Sequence, residues 1–205
     1  GLSRLQWLPE TTNYSFLINR SKKLIIVRKG KSDTITSKDL SKALGIELKQ
    51  IPFQKWKSQS SFIFNHKNAF YEYEINTKKL QKLVVHKEEA QNVDFNAKTN
   101  RCAFTHKNNL YIASDTDKMD VVTHFSNKNI VAGQAIARFE FGISKGTFWS
   151  NSGNKIAFYQ KDESNVHDYP LLDMTKTPGE LQSIKYPMAG QKSELAKVGV
   201  FDLST

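Results

Sequence analysis

"TFWSNSGNKIAFY", residues 147–159, carries an aromatic side chain at Trp149 and another at Phe158, with the polar turn Ser150 to Gly153 between them. Aromatic and β-branched residues on both sides of a Ser/Asn/Gly cluster read as strand, turn, strand. The same nine-residue spacing occurs at Trp7 and Phe16, at Phe53 and Phe62, and at Phe95 and Phe104. Each pair brackets a polar stretch, in order "LPETTNYS", "QKWKSQSS", "NAKTNRCA" and "SNSGNKIA". The pairs start 46, 42 and 54 residues apart, so one structural unit recurs four times.

Beyond each pair lies a second apolar run: Leu24 to Val27, Phe70 to Tyr73, Leu110 to Ala113 and Val198 to Phe201. The turns Asn65 to Asn68 and His106 to Asn109 have hairpin chemistry, because Asn tolerates the left-handed region. Further strands are expected at Leu80 to Val85 and at Val121 to His124. A unit of about 45 residues with three or four short antiparallel strands is a propeller blade. The fold expected is therefore all-β, a β-propeller portion of about four consecutive blades, with modules near residues 1–45, 46–88, 89–130 and 131–205. The alternative is a two-layer sandwich with similar hairpins, which explains four equal aromatic spacings less well. Ser37 as N-cap, Asp39 in the first turn, Leu40, Ala43 and Leu44, and Gly45 beyond the end predict one short helix near 37–44.

Composition narrows the function classes. No apolar run approaches the roughly 20 residues of a membrane-spanning helix, so no membrane span is expected in this chain. Cys102 is the single cysteine, which excludes an intrachain disulfide and a cysteine-built metal site. His66, His86, His106, His124 and His167 are scattered without metal-ligand spacing, and no phosphate-binding glycine loop occurs, so neither metal nor cofactor is expected. Thirty Lys and Arg against twenty Asp and Glu give a net charge of +10, yet the basic residues are spread along the chain and no nucleic-acid motif accompanies them. Nucleic acid is not an expected partner.

Gly142-Ile143-Ser144-Lys145-Gly146 has the letters of a hydrolase nucleophile elbow. An elbow needs a strand, a strained turn and then a helix. Here the turn leads into Thr147-Phe148-Trp149 and another strand, and only His167 follows among the histidines. Ser144 is expected to be no nucleophile, and Gly142 and Gly146 to shape a bend.

The fourth module departs from the others. From the second aromatic to the next run takes 8, 8 and 6 residues in the first three modules, but Phe158 and Val198 lie 40 apart. The insertion contains "KDESNVHDYPLLDM" and "YPMAG", and inserted segments of this kind carry contacts.

The stretches "EFGISKGTFWSNSGNKIAFYQKDESNVHDYPLLDM" and "IKYPMAGQKSELAKVGVFDL" resemble the propeller domain of the dipeptidyl peptidase IV family, in the prolyl oligopeptidase clan, especially its bacterial members. The resemblance is most specific over residues 130–205 and extends through module spacing to nearly the whole chain. It implies the amino-terminal half of an eight-bladed propeller from a serine exopeptidase that removes dipeptides from peptide N-termini. The α/β-hydrolase domain with its Ser, Asp and His lies outside this chain, which should be inactive alone. By the same resemblance Glu140 is the residue that holds the substrate amino terminus. Arg138 stands where a second acid is expected, which puts dipeptidyl specificity in question. His66 or Lys67 would take the place of the family's substrate-binding arginine. The insertion, at about residues 164–192, matches the family's dimerisation arm, with His167, Tyr169, Pro170, Tyr186 and Pro187 as contacts in a homodimer. A periplasmic or secreted location is implied by the family alone. A non-catalytic interaction scaffold is the other reading.

Overall fold

The computed structural model describes residues 1–137 and 141–204. They fall into two compact units, residues 1–88 with 113–118, and residues 89–112 with 119–205.

The first unit holds two four-stranded antiparallel sheets joined by a helix. In one, β1 (Ser3–Trp7), β2 (Tyr14–Ile18), β3 (Lys23–Arg28) and β4 (Lys31–Thr36) lie side by side in chain order. After the helix α1 (Ser37–Leu44), the strands β5 (Phe53–Trp56), β6 (Ser61–His66), β7 (Ala69–Glu74) and β8 (Lys79–Val85) repeat that order. Leu17, Leu24 and Ile26 from the first sheet, Leu40 from α1, and Phe53, Trp56, Phe62, Phe64 and Tyr73 from the second form one buried cluster. Full burial of side chains this size stabilises by roughly 1.5–3 kcal/mol each. Polar groups fix the alignment: the Trp56 indole N–H donates to Ser15 Oγ at 2.7 Å, and the Arg4 guanidinium donates to the Phe53 carbonyl at 2.6 Å.

The helix occupies the expected residues, but its N-cap is Thr36 rather than Ser37. Thr36 is extended, with φ −111° and ψ 160°, so its Oγ1 can turn back to accept from the Asp39 N–H while Asp39 returns a bond to the Thr36 N–H at 2.8 Å. This reciprocal pair satisfies two amides that the helix cannot. Gly45 ends the helix at φ 73°, where a side chain would be strained.

In the second unit, β9 (Gln91–Asn96), β10 (Arg101–His106), β11 (Asn109–Ala113) and β12 (Met119–Val121) form a third sheet in the same sequential order. The last strand ends earlier than the expected Val121 to His124. The N–H groups of Val122 and Thr123 both converge on the Leu110 carbonyl, so the ladder cannot advance past Val121. The fourth sheet is built differently. β13 (Ile130–Ala132) and β14 (Thr147–Trp149) both pair with one side of β15 (Lys155–Asp162). The chain then forms a separate hairpin, β16 (Asp168–Asp173) and β17 (Glu180–Lys185), before β18 (Leu195–Asp202) returns to the other side of β15 over eight residue pairs, Lys155↔Asp202 to Asp162↔Leu195. Ala103, Leu110, Ile112, Ala132, Ile156 and Phe158 make this unit's core. Cys102 is fully buried, and burial pushes its thiol pKa far up, as befits a small apolar side chain.

Each aromatic pair lies on two consecutive, paired strands, β1 and β2, β5 and β6, β9 and β10, and β14 and β15, but one pair is out of register with the rest. Trp7 faces Tyr14, Phe95 faces Cys102 and Trp149 faces Ile156, each seven residues on. In the second sheet the residue at that place is Trp56, opposite Phe62, and Phe53 sits three residues earlier, before a bulge. Trp56 is therefore the structural counterpart of Trp7, Phe95 and Trp149. The nine-residue interval at Phe53 hides a turn one residue shorter: the Lys57 N–H reaches the Ser61 carbonyl, where Leu8 reaches Asn13 and Ser150 reaches Lys155.

Candidate functional site

Glu140 and Arg138 lie outside the described residues, and the structure reports on what brackets them. Ala137, on the near side, has φ 50°, and its N–H donates to Glu194 Oε1 at 2.9 Å. Phe141 and Gly142, on the far side, have φ 55° and 74°. Phe141 is 89% exposed. Gly146 then passes so close to the Gln134 backbone that a Cβ would lie 2.2 Å from it, which only glycine avoids. The Gly146 carbonyl accepts from the Tyr159 N–H and the Tyr159 carbonyl from the Gly133 N–H, tying both arms of the segment to β15. All of these residues belong to the second unit.

Beside Ala137 is a cavity of about 390 Å³ lined by Gln91, Asn92, Gln134, Ala135, Lys161, Glu163 and Glu194. Lys161 Nζ and Glu163 Oε1 stand 2.9 Å apart with both side chains only 15% exposed, so this pair is weakly screened. Asn92 adopts φ 49°, and its amide donates to the Thr105 hydroxyl at 2.8 Å. The cavity thus offers carboxylates and one ammonium at its wall. Sequence reasoning did not single out Glu194, which is 57 positions from Ala137, although it lies in a stretch that carries the family resemblance.

Ser144 is exposed, and β14, a polar turn and β15 follow it. That is strand, turn, strand, so the backbone that makes an elbow serine nucleophilic is missing here. Gly142 at φ 74° and Gly146 against Gln134 account for the glycines. Nearby, Asp94 Oδ2 accepts from the Thr147 hydroxyl at 2.8 Å, and the Asp94 carbonyl accepts from the Trp149 indole at 3.3 Å, which fixes β14 against β9.

His66 and Lys67 belong to the first unit, at the tight turn where His66 pairs with Ala69. Lys67 has φ 53° and is exposed. The His66 Nε2 is buried without a hydrogen-bond partner. Burial, with Lys67 beside it, holds the imidazole below its ordinary pKa and keeps it neutral. His106 holds the same place in the third sheet, with Nε2 3.4 Å from Glu89 Oε2.

The inserted hairpin gathers several of the remaining candidates. Tyr169 on β16 and Tyr186 just after β17 have ring centroids 5.8 Å apart, and the Tyr186 N–H donates to the His167 carbonyl. Pro170 faces Ser183 across the ladder, and Pro187 follows Tyr186 into the turn before β18. Tyr169 and Tyr186 stay 38% and 42% exposed, while Leu172, Met174 and Leu181 are 59%, 82% and 77% exposed. The hairpin buries its tyrosines partly on each other and turns its aliphatic side chains outward.

Comparison with known proteins gives this geometry a lineage. Residues 47–205 match the model of the dipeptidyl peptidase IV (DPP IV) N-terminal region. The structure is similar to that of a putative dipeptidyl aminopeptidase IV from Bacteroides ovatus, with TM-score 0.79 and 31% identity over 99% of this chain and 29% of that one. It shares its fold with dipeptidyl peptidase 4 of Porphyromonas gingivalis, with TM-score 0.72 and 20% identity over 98% of this chain and 31% of that one. A probable dipeptidyl-aminopeptidase B of Fusarium vanettenii is 26% identical over 82% of this chain and 19% of its own length. The chain therefore spans less than a third of the length of each of these relatives. Three antiparallel sheets with strands in chain order, a fourth built around β15, an insertion before β18 and these matches agree: the chain belongs to the family of dipeptidyl peptidase IV N-terminal regions.

Proposed function

We propose that this chain is the amino-terminal propeller portion of a serine exopeptidase of the dipeptidyl peptidase IV type, in which it admits peptides and holds their free amino termini. The observation that supports this reading is the likeness to the Bacteroides ovatus protein across 99% of the chain. The Ser, Asp and His that cut the peptide belong, on this reading, to a hydrolase domain elsewhere in the protein. Glu140 supplies the carboxylate for the substrate ammonium. In a chamber that excludes water such a charge-assisted bond is short and strong, and it fixes the distance from the peptide end to the scissile bond. Arg138 replaces a second acid, so a single carboxylate carries the recognition. His66 or Lys67 contacts the substrate backbone. The hairpin of β16 and β17 is a homodimer contact, with Tyr169, Pro170, Tyr186, Pro187 and His167 at its root and face.

Glu194 is a positioning residue in this scheme, because it anchors the amide of Ala137 three residues before Glu140. In the full-length protein, Glu140→Gln is expected to lower kcat/KM for peptides with free amino termini by about 10²-fold. An unchanged value would remove its role. Glu194→Ala is expected to lower kcat/KM by roughly tenfold, mainly through KM, while Glu194→Gln, whose amide oxygen still accepts the bond, stays near wild type. A double variant of Glu140→Gln with Glu194→Ala should be no worse than Glu140→Gln alone, since Glu194 acts through Glu140. Additive losses would assign Glu194 a separate task.

A further inference from the structure

The excess positive charge of this protein is not spread evenly in space. The first unit carries 18 Lys and Arg against 9 Asp and Glu, a net of +9, whereas the second carries 12 against 11, a net of +1. Within the first unit, Lys22, Lys38, Lys42 and Lys49 line one cleft of about 780 Å³ beside α1, with Glu47 as the single acid among its lining residues. All four lysines are exposed, and among the described residues none lies within 4.0 Å of a carboxylate, although Lys42 is near enough to Asp39 to help the Thr36 hydrogen bonds hold its carboxyl pKa down. The nearby carboxylate of Asp39 is already engaged by the helix cap at Thr36.

The cleft is also preorganised. Ser41 donates to the Ser37 carbonyl at 2.7 Å and accepts from the Leu48 N–H at 2.9 Å, while the Ser41 carbonyl accepts from the N–H groups of Gly45 and Ile46. The Ser37 N–H is tied to the Lys22 carbonyl at 2.9 Å, joining the helix start to the turn before β3. Lys38 and Lys42, four apart, share the helix face opposite Leu40 and Leu44, which pack on the core. Between Lys42 and Lys49 the loop presents Ile46, 40% exposed. Unpaired ammonium groups around an outward aliphatic side chain suit a surface with phosphate outside and hydrocarbon beneath.

We propose that the α1 cleft is a docking site for the phosphate headgroups of an anionic lipid surface. The lysines supply long-range attraction and phosphate contacts, and Ile46 enters the boundary between headgroups and acyl chains.

The test uses the full-length protein and flotation with vesicles of phosphatidylglycerol mixed into phosphatidylcholine, against phosphatidylcholine alone. Binding is expected only to the anionic vesicles, falling as salt is raised through about 0.15 M, where the screening length is roughly 8 Å. Replacing Lys22, Lys38, Lys42 and Lys49 together by Gln is expected to lower vesicle partitioning by on the order of 10²-fold. A control replaces Lys29, Lys31, Lys55 and Lys118, four exposed lysines of the same unit that do not line the cleft, and is expected to lower it far less at equal net charge. Ile46→Asn should weaken binding several-fold with charge unchanged. Equal losses in the two lysine variants would reduce the effect to net charge and overturn the site. Absence of wild-type binding would overturn it too. So would a thermal shift with inorganic phosphate that depends on the four lysines without any vesicle binding, since that would mark a small-anion pocket.

Discussion

The second and fourth sheets use the same strand chemistry in different surroundings. On β6, Phe62, Ile63 and Phe64 are all fully buried, so both faces of that strand are covered. On β18, Leu195, Val198 and Val200 are 62%, 67% and 67% exposed, although the strand makes an unbroken eight-residue ladder with β15. Hydrogen bonding and burial are therefore separable in this molecule: pairing places a strand, and a neighbouring layer is what converts its apolar side chains into stability. The second sheet has its layer, from the first sheet and α1. On β18 only Phe201 packs against its unit's core, and Val198 and Val200, on the opposite face of the strand, stay exposed.

Three experiments would break or sharpen that contrast. The largest effect is expected from truncation. Phe62→Ala should cost about 3–5 kcal/mol in a denaturant melt, because the removed ring touches Phe53, Trp56, Phe64 and Tyr73. Val200→Ala in the same chain should stay within about 0.5 kcal/mol. Comparable losses would mean that β18 is covered after all.

A smaller effect is expected from the two tryptophans that reach back to the preceding sheet. Trp56→Phe removes the donor to a fully buried Ser15 hydroxyl and should cost about 1–3 kcal/mol. Trp149→Phe removes a longer, partly exposed bond to the Asp94 carbonyl and should cost about 1 kcal/mol or less. A reversed ranking would contradict the burial argument.

The smallest effect concerns pH. The folded-state pKa of His66 lies below its ordinary 6.5, chiefly through burial and secondly through Lys67. The unfolded chain therefore takes up a proton first, so this contribution to stability is present above about pH 6.5 and is lost as pH falls through the depressed value. Thermal midpoints measured between pH 7.5 and 5 should show a decline that His66→Gln flattens. An identical decline in that variant would place the titrating group elsewhere.

The repeat was legible because equally spaced aromatics and Asn-containing turns are local signals, and so was the helix, whose Asp39 and Gly45 mark its ends. Its cap was misread by one residue since both Thr36 and Ser37 carry a hydroxyl, and only the extended backbone at Thr36 decides between them. The equivalence of Phe53 with Trp149 was misleading for a similar reason. A bulge and a shortened turn in the second sheet preserve the aromatic interval while moving the structural position to Trp56. At the candidate site only the family resemblance pointed to Glu140, and the anchoring of Ala137 by Glu194 depends on a contact across 57 residues that no periodicity encodes. The clustering of lysines around α1 was equally invisible, because Lys22 and Lys49 are distant in sequence and meet only through the fold.

The hairpin between β15 and β18 has a consequence for assembly order. For β18 to find β15, the chain from Asp162 to Leu195 must close into a loop. Once Asp168 to Asp173 has zipped against Glu180 to Lys185, a process of microseconds for a hairpin, the free length left to close is roughly halved. That saves about 0.6 kcal/mol of closure entropy. The hairpin thus acts as a clasp that forms locally and brings its two ends together, so β18 can join β15 in a single register.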